Sequence, residues 1–139
     1  MKMNIMEQIT LKSDKKNLSL LLSNLEKFLD GYDLSMKFKL NLELVIEELF
    51  INICSYAYAD EGDISIQWYV EDDPSRLIIH FLDEGVQFNP LEKEAPDLTL
   101  DAKDREIGGL GLTLVKTNVD DIGYSYENGH NILTIEKNF

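Results

Sequence analysis

The sequence predicts an α+β fold, a two-layer sandwich in which a mainly antiparallel sheet carries helices on one face. Three observations predict it. Apolar and polar residues alternate in short runs joined by tight turns, at Asp72-Asp73-Pro74-Ser75 and at Asn128-Gly129, so strands adjacent in sequence pair antiparallel. Other stretches carry apolar residues at helical spacing. The length of 139 residues and the 44% apolar content suit one compact core better than two.

Taken in order, Ile9 and Leu11 alternate with Gln8, Thr10 and Lys12, which predicts a short strand ending at a Ser13-Asp14 helix start. A first helix follows on Leu18, Leu21, Leu22, Leu25, Phe28 and Leu29, with Gly31 placed as its C-terminal cap. A longer helix runs from about Ser35 to Tyr58, its buried stripe formed by Phe38, Leu42, Val45, Ile46, Leu49 and Ile53. At roughly 100° per residue, Glu43 and Glu47 fall away from this stripe, whereas Asn52 lands against it and Glu48 sits just beyond. Two strands come next, on Ile64, Ile66, Trp68 and Val70 and then on Leu77 to Leu82. The second runs into Asp83-Glu84-Gly85, which puts the Asp83 carboxylate on the face of Leu77, Ile79 and Phe81. Residues 87–108 lack periodicity and predict a mobile loop. Gly108-Gly109-Leu110-Gly111-Leu112 then opens a helix to about Val119, and a last hairpin holds Tyr124 and Ile135. The order is βααββ, loop, αββ.

The 26 acidic and 13 basic residues leave a net charge of -13, which repels phosphate backbones and anionic membranes and argues against both as partners. Cys54, the one cysteine, has no partner for a disulfide or a CxxC zinc site and reads as a small buried apolar residue. The segment Met1 to Gln8 lacks the apolar core of a signal peptide, and no stretch is long enough to span a bilayer. The expectation is a soluble, cytoplasmic, acidic domain. His80 within a strand and His130 beside a turn read as structural.

Three constellations could carry chemistry. The i,i+4 spacing sets the Glu48 carboxylate beside the Asn52 amide, an arrangement suited to holding a hydrated magnesium ion and polarising a hydroxyl, and equally one found as a plain polar pair at a helix flank. Asp83 with Gly85 suits a ligand that offers a hydrogen-bond donor, such as the exocyclic amine of adenine, beside a close backbone approach. It also suits an ordinary turn. Gly108, Gly109 and Gly111 at a helix start suit backbone N–H groups turned toward phosphate oxygens, or a helix entry needing free dihedrals.

Together, in this order, they resemble the GHKL ATPases. Glu48 to Asn52 is similar to the N box, Asp83-Glu84-Gly85-Val86-Gln87-Phe88-Asn89-Pro90 to the first glycine box, and Gly108-Gly109-Leu110-Gly111-Leu112-Thr113-Leu114-Val115 to the second. The short chain and the ending Asp120-Asp121-Ile122-Gly123-Tyr124 resemble, within that superfamily, the anti-sigma factor serine/threonine kinases. The resemblance implies a histidine-kinase-like ATPase fold as a single domain over 1–139, with an ATP lid at about 87–107. It implies Glu48 as the general base toward a serine hydroxyl and Asn52 as the magnesium ligand. Asp83 and Gly85 would bind adenine, and Gly108, Gly109, Gly111 and Leu112 would lie on the phosphate side of ATP. Arg105 is added as an ATP-binding residue because few basic side chains stand near the site; a solvated loop charge is the other reading. ATP with Mg2+, an anti-anti-sigma (STAS-type) partner, a sigma factor and a homodimer complete the expectation. The alternative is a partner-switch module that binds ATP without phosphotransfer. Tyr56 stands where many relatives carry histidine, Gln87 replaces a glycine, and Gly129-His130-Asn131 stands where glycine is often followed by threonine or serine.

Overall fold

The computed structural model describes residues 6–92 and 109–139. Its elements are β1 (Glu7–Lys12), α1 (Leu18–Leu29), α2 (Met36–Tyr56), β2 (Asp63–Glu71), β3 (Arg76–Asp83), α3 (Gly109–Asn118), β4 (Asp121–Glu127) and β5 (His130–Asn138), with short 3-10 turns at Lys15–Asn17 and Pro90–Glu92. The five strands form one antiparallel sheet in the order β1-β2-β3-β5-β4. This is the α+β arrangement the sequence predicts.

Local chemistry explains the boundaries. Asp14 caps the first 3-10 turn by accepting from the Lys16 N–H, and Ser35 caps α2 by accepting from the Phe38 N–H at 3.1 Å, each satisfying a donor that the helix itself leaves open. The β4–β5 hairpin turns on Asn128 and Gly129, with φ of 52° and 80°, the left-handed pair that matches the twist of the flanking strands. Gly31 does not act as the cap expected of it. The α1 helix ends on Asp30 in the right-handed region, and the Tyr32 N–H returns to the Leu29 carbonyl at 2.9 Å, so no left-handed residue is needed.

The core lies between the sheet and the helices. Leu21, Leu25 and Leu29 of α1 and Leu42, Val45, Ile46, Leu49, Phe50 and Ile53 of α2 pack on Ile64, Ile66, Trp68, Leu77, Ile79, Phe81, Leu133 and Ile135, with Val115 added from α3. The period-2 alternation in β2 is complete, buried and partly exposed residues following one another from Ile64 to Val70. Phe38, expected in the α2 stripe, is only half-buried and packs beside the core, while Phe50 is fully buried. No helix among the described residues is long and apolar enough to cross a membrane.

The face of β3 that carries Leu77, Ile79 and Phe81 also carries Asp83, and all four are buried. The register sets Asp83 opposite Asn131 on β5. Two polar side chains therefore enter the helix–sheet layer together, at the end of the sheet where β3 leaves it.

Candidate functional site

On α2 the Asn52 side chain is 3% exposed, and its Nδ2 donates to Glu48 Oε1 at 3.1 Å. The two residues stand one turn apart, which is how a four-residue spacing brings side chains into contact on a helix. A buried amide must find partners, and half-buried Glu48 supplies one. With the amide nitrogen given to Glu48, the Asn52 carbonyl oxygen is the atom turned the other way. That is the oxygen-donor chemistry a magnesium ion takes. No group of three or more His, Cys, Asp or Glu side chains able to hold a metal occurs among the described residues, so a cation at Asn52 would draw its other ligands from a bound substrate and water, the usual mode for magnesium.

At the sheet end, Asp83 is 4% exposed and Asn131 likewise 4%. Asn131 makes four hydrogen bonds. Its Nδ2 donates to Asp83 Oδ1 and to the Val86 carbonyl, both at 2.8 Å. Its Oδ1 accepts from the Phe88 N–H at 3.0 Å and from the Tyr124 hydroxyl at 2.5 Å. The Gly85 N–H also donates to Asp83 Oδ1, at 2.9 Å. Burial pushes the Asp83 carboxyl above its ordinary pKa, while the donors from Asn131 and Gly85 and the nearby His130 pull the other way. In the sequence Asn131 stands out only as a departure from the usual threonine or serine, with no role attached. Its signal was available in the parity of β5, since Asn131 shares the inward face of Leu133 and Ile135 just as Asp83 shares that of Phe81.

Gly85 also makes a close approach within the chain itself. A Cβ at Gly85 would lie 2.2 Å from the Ala57 carbonyl oxygen and 2.9 Å from the Ala57 Cβ. Glycine at this position therefore lets the end of α2 come close. The Val86 N–H donates to the same Ala57 carbonyl at 2.8 Å, and the Tyr58 hydroxyl accepts from the Glu84 N–H at 2.8 Å while donating to the Asp63 carbonyl at 2.7 Å. These contacts dock the β3 exit onto α2. Asn52 precedes Ala57 by five residues, roughly 7.5 Å along the helix, so the Glu48–Asn52 pair lies on the same helix whose end the β3 exit meets.

The second glycine segment is placed by its backbone. Gly109, Gly111 and Leu112 lie in the first turn of α3, which begins at Gly109, so the backbone of Gly109 and Gly111 is helical. Gly108 and Arg105 lie outside the described residues, as does 93–107 of the expected lid. The described start of that lid, 87–92, is tied down: the Phe88 ring rests 5.3 Å from Tyr56, Pro90 is buried, and the Asn89 side chain accepts from the Leu91 N–H at 2.9 Å. His130 Nε2 lies 3.0 Å from Glu84 Oε1, and His80 Nδ1 lies 2.8 Å from Thr134 Oγ1. Cys54 is half-buried and not fully enclosed as expected, with its thiol pushed up to about 11 by burial.

Comparison with known proteins shows the family. A profile of the histidine kinase-like ATPase domain matches residues 11–137. The chain is 26% identical over 101 residues to the serine/threonine-protein kinase BtrW of Bordetella bronchiseptica, covering 73% of this chain and 71% of that one. It is 33% identical over 98 residues to the serine-protein kinase RsbW of Bacillus cereus, covering 67% of this chain and 60% of the relative. The chain thus spans somewhat less than two thirds of the RsbW length. Among solved structures, that of the RsbU and RsbW domains of a Mycobacterium tuberculosis protein superposes with a TM-score of 0.67 at 15% identity, covering 96% of this chain and 32% of that one. At that identity the likeness concerns the fold. With the profile matching nearly the whole chain, from the inward end of β1 to the end of β5, the chain belongs to the histidine kinase-like ATPase domain family.

Proposed function

We propose that this chain is an ATP-dependent serine kinase of the anti-sigma type, which phosphorylates an anti-anti-sigma (STAS-type) partner and sequesters a sigma factor. The observation that carries the reading is the docking of the β3 exit onto α2, Gly85 against Ala57, which joins the strand end that carries Asp83 to the helix that carries Asn52 and Glu48. Family membership and the kinases among the relatives support it.

In this reading Asp83 accepts a hydrogen bond from the adenine amine, its carboxylate held in place by Asn131 and Gly85. Gly108, Gly109, Gly111 and Leu112, with Arg105, face the phosphates, and 87–107 serves as the lid of a single domain. Asn52 would hold the magnesium ion, whose contribution is to neutralise charge on the transferring phosphate. Glu48 accepts the proton of the partner's serine hydroxyl as the serine oxygen attacks the γ-phosphorus. The bond from that phosphorus to the bridging oxygen breaks, and ADP leaves with the electron pair. The Asn52 amide directs the Glu48 carboxylate by its hydrogen bond, which costs no rearrangement during reaction. The chain acts in the cytoplasm, as a homodimer.

The test is incubation with labelled ATP, magnesium and a candidate STAS-type partner encoded nearby, followed by location of phosphate on the partner. Phosphoserine is the expected result. Partner binding that requires ATP without any phosphate transfer would replace the kinase with a nucleotide-gated switch. Absence of nucleotide binding in a folded sample would leave an interaction domain.

A further inference from the structure

We propose that the groove between α1 and α2, on the solvent side of the two helices, docks an amphipathic helix of a partner protein, whose apolar face covers Met36 and Leu40 and whose lysine or arginine enters between Glu26 and Glu43. The groove stands apart from the nucleotide site, and the proposal does not depend on that site.

The groove holds about 220 Å³. Among its lining residues, Leu25, Leu29 and Leu42 are buried, whereas Met36 and Leu40 are 70% and 52% exposed. Leu44, half exposed, follows Leu40 one turn further along α2. A single exposed leucine is ordinary. Met36, Leu40 and Leu44 follow one another at four-residue steps, however, and such a stripe beside an apolar groove marks a surface that is covered by something else. A groove between two neighbouring helices takes a third helix, which seats apolar residues spaced three and four apart.

Charge decides the occupant. Glu26 of α1 and Glu43 of α2 line the same groove, and their carboxyls stand within hydrogen-bonding reach of each other. That contact first, then burial and the Glu26 charge, hold the Glu43 carboxyl above its ordinary pKa. Among the described residues no basic side chain forms an ion pair with either carboxyl. Lys39, one turn before Glu43, lies 3.9 Å from Asp30 instead. Two carboxylates held together repel, and a guanidinium or ammonium placed between them removes the repulsion and adds charge-assisted hydrogen bonds. A second copy of this chain is the wrong occupant. In a two-fold interface the same patch faces itself, which sets Glu26, Asp30 and Glu43 against their own copies in a chain of net charge -13. Nucleic acids and anionic membranes are repelled for the same reason.

The probe is a synthetic amphipathic helix with leucines along one face and lysines flanking them, labelled for fluorescence anisotropy, beside a counterpart with glutamates in place of the lysines. The full chain is titrated at about 0.15 M salt, where long-range attraction is screened. Wild type is expected to bind the lysine helix at least about tenfold more tightly than the glutamate helix. Leu40→Ser should weaken the lysine helix by about tenfold, the loss of one buried leucine contact, and Met36→Ser decides the matter should Leu40→Ser fail to fold by circular dichroism. The double variant Glu26→Gln with Glu43→Gln should lose most of the preference for lysine. Asp72→Asn with Glu127→Gln, which removes two exposed charges at the ends of strands, should keep it. Equal losses in the two double variants would reduce the effect to net charge and overturn the proposal, as would wild type that binds neither helix. Sedimentation is expected to be the same for wild type and Leu40→Ser; a dimer that dissociates in Leu40→Ser would give the groove to a second copy and overturn it too. ADP affinity should be unchanged in every variant. Wild type that binds the lysine helix as described but no ADP would support this proposal and overturn the nucleotide reading alone.

Discussion

Glu48 and Asn52 touch, and their contact makes their substitutions separable. Glu48→Gln keeps a carbonyl to accept from the Asn52 amide and removes the proposed base, so nucleotide affinity should hold while phosphotransfer falls by about two orders of magnitude or more. Asn52→Ala removes the proposed magnesium ligand, so affinity and metal dependence should fall along with transfer. Titration calorimetry with and without magnesium, beside a transfer assay, separates the two; equal behaviour in both variants would reduce the pair to a structural contact. Asp83 yields a pH test. Its folded pKa stands above the unfolded value because of burial, so its protonated form is favoured on folding: the benefit is full below the unfolded pKa and is lost as pH rises through the folded pKa. Asp83→Asn keeps an oxygen for Gly85 and Asn131 without the buried charge. Without nucleotide it should melt above wild type at pH 7, with the gap closing as pH falls into the carboxylate range. A lower melting temperature at pH 7 would mean that the ionised carboxylate holds the site together.

At the scale of elements, the joint between α2 and the end of β3 carries the candidate site. Gly85→Ala would drive a Cβ to 2.2 Å from the Ala57 oxygen, and the strain of such overpacking is about 1–3 kcal/mol. The variant should lose thermal stability and bind nucleotide more weakly, because the displaced turn carries the Gly85 N–H that donates to Asp83 and the Val86 carbonyl that accepts from Asn131. Unchanged nucleotide binding in a destabilised variant would separate the joint from the site. The entry to α2 gives the control. Ser35→Ala removes the acceptor for the Phe38 N–H and should cost about 1 kcal/mol, with no change in nucleotide affinity, since Ser35 lies more than three turns from Asn52 along the helix.

For the whole molecule, ADP that binds only the folded chain adds about 2.7 kcal/mol at 100 times its dissociation constant, so a thermal melt with and without ADP tests the nucleotide reading in one step. The absence of any shift, in a sample with a cooperative transition, would remove it. The alternation of Ile64 to Val70 and the spacing of Leu42, Val45, Ile46 and Leu49 made sheet and helix legible, because periodicity reports directly which face of an element meets the core. The glycine boxes and the Glu48–Asn52 spacing likewise made the family legible. Local chemistry also set the Ser35 cap and the Asn128-Gly129 turn, whose donors and dihedrals involve only neighbours in the chain. What the tertiary structure alone decided is what meets at the site. That Gly85 stands clear for Ala57, that Asn131 faces Asp83 across the β3–β5 register, and that Tyr124 fixes the amide all join residues from separate elements. Such pairings depend on strand order and on how a helix end docks on a sheet, and no local pattern encodes either.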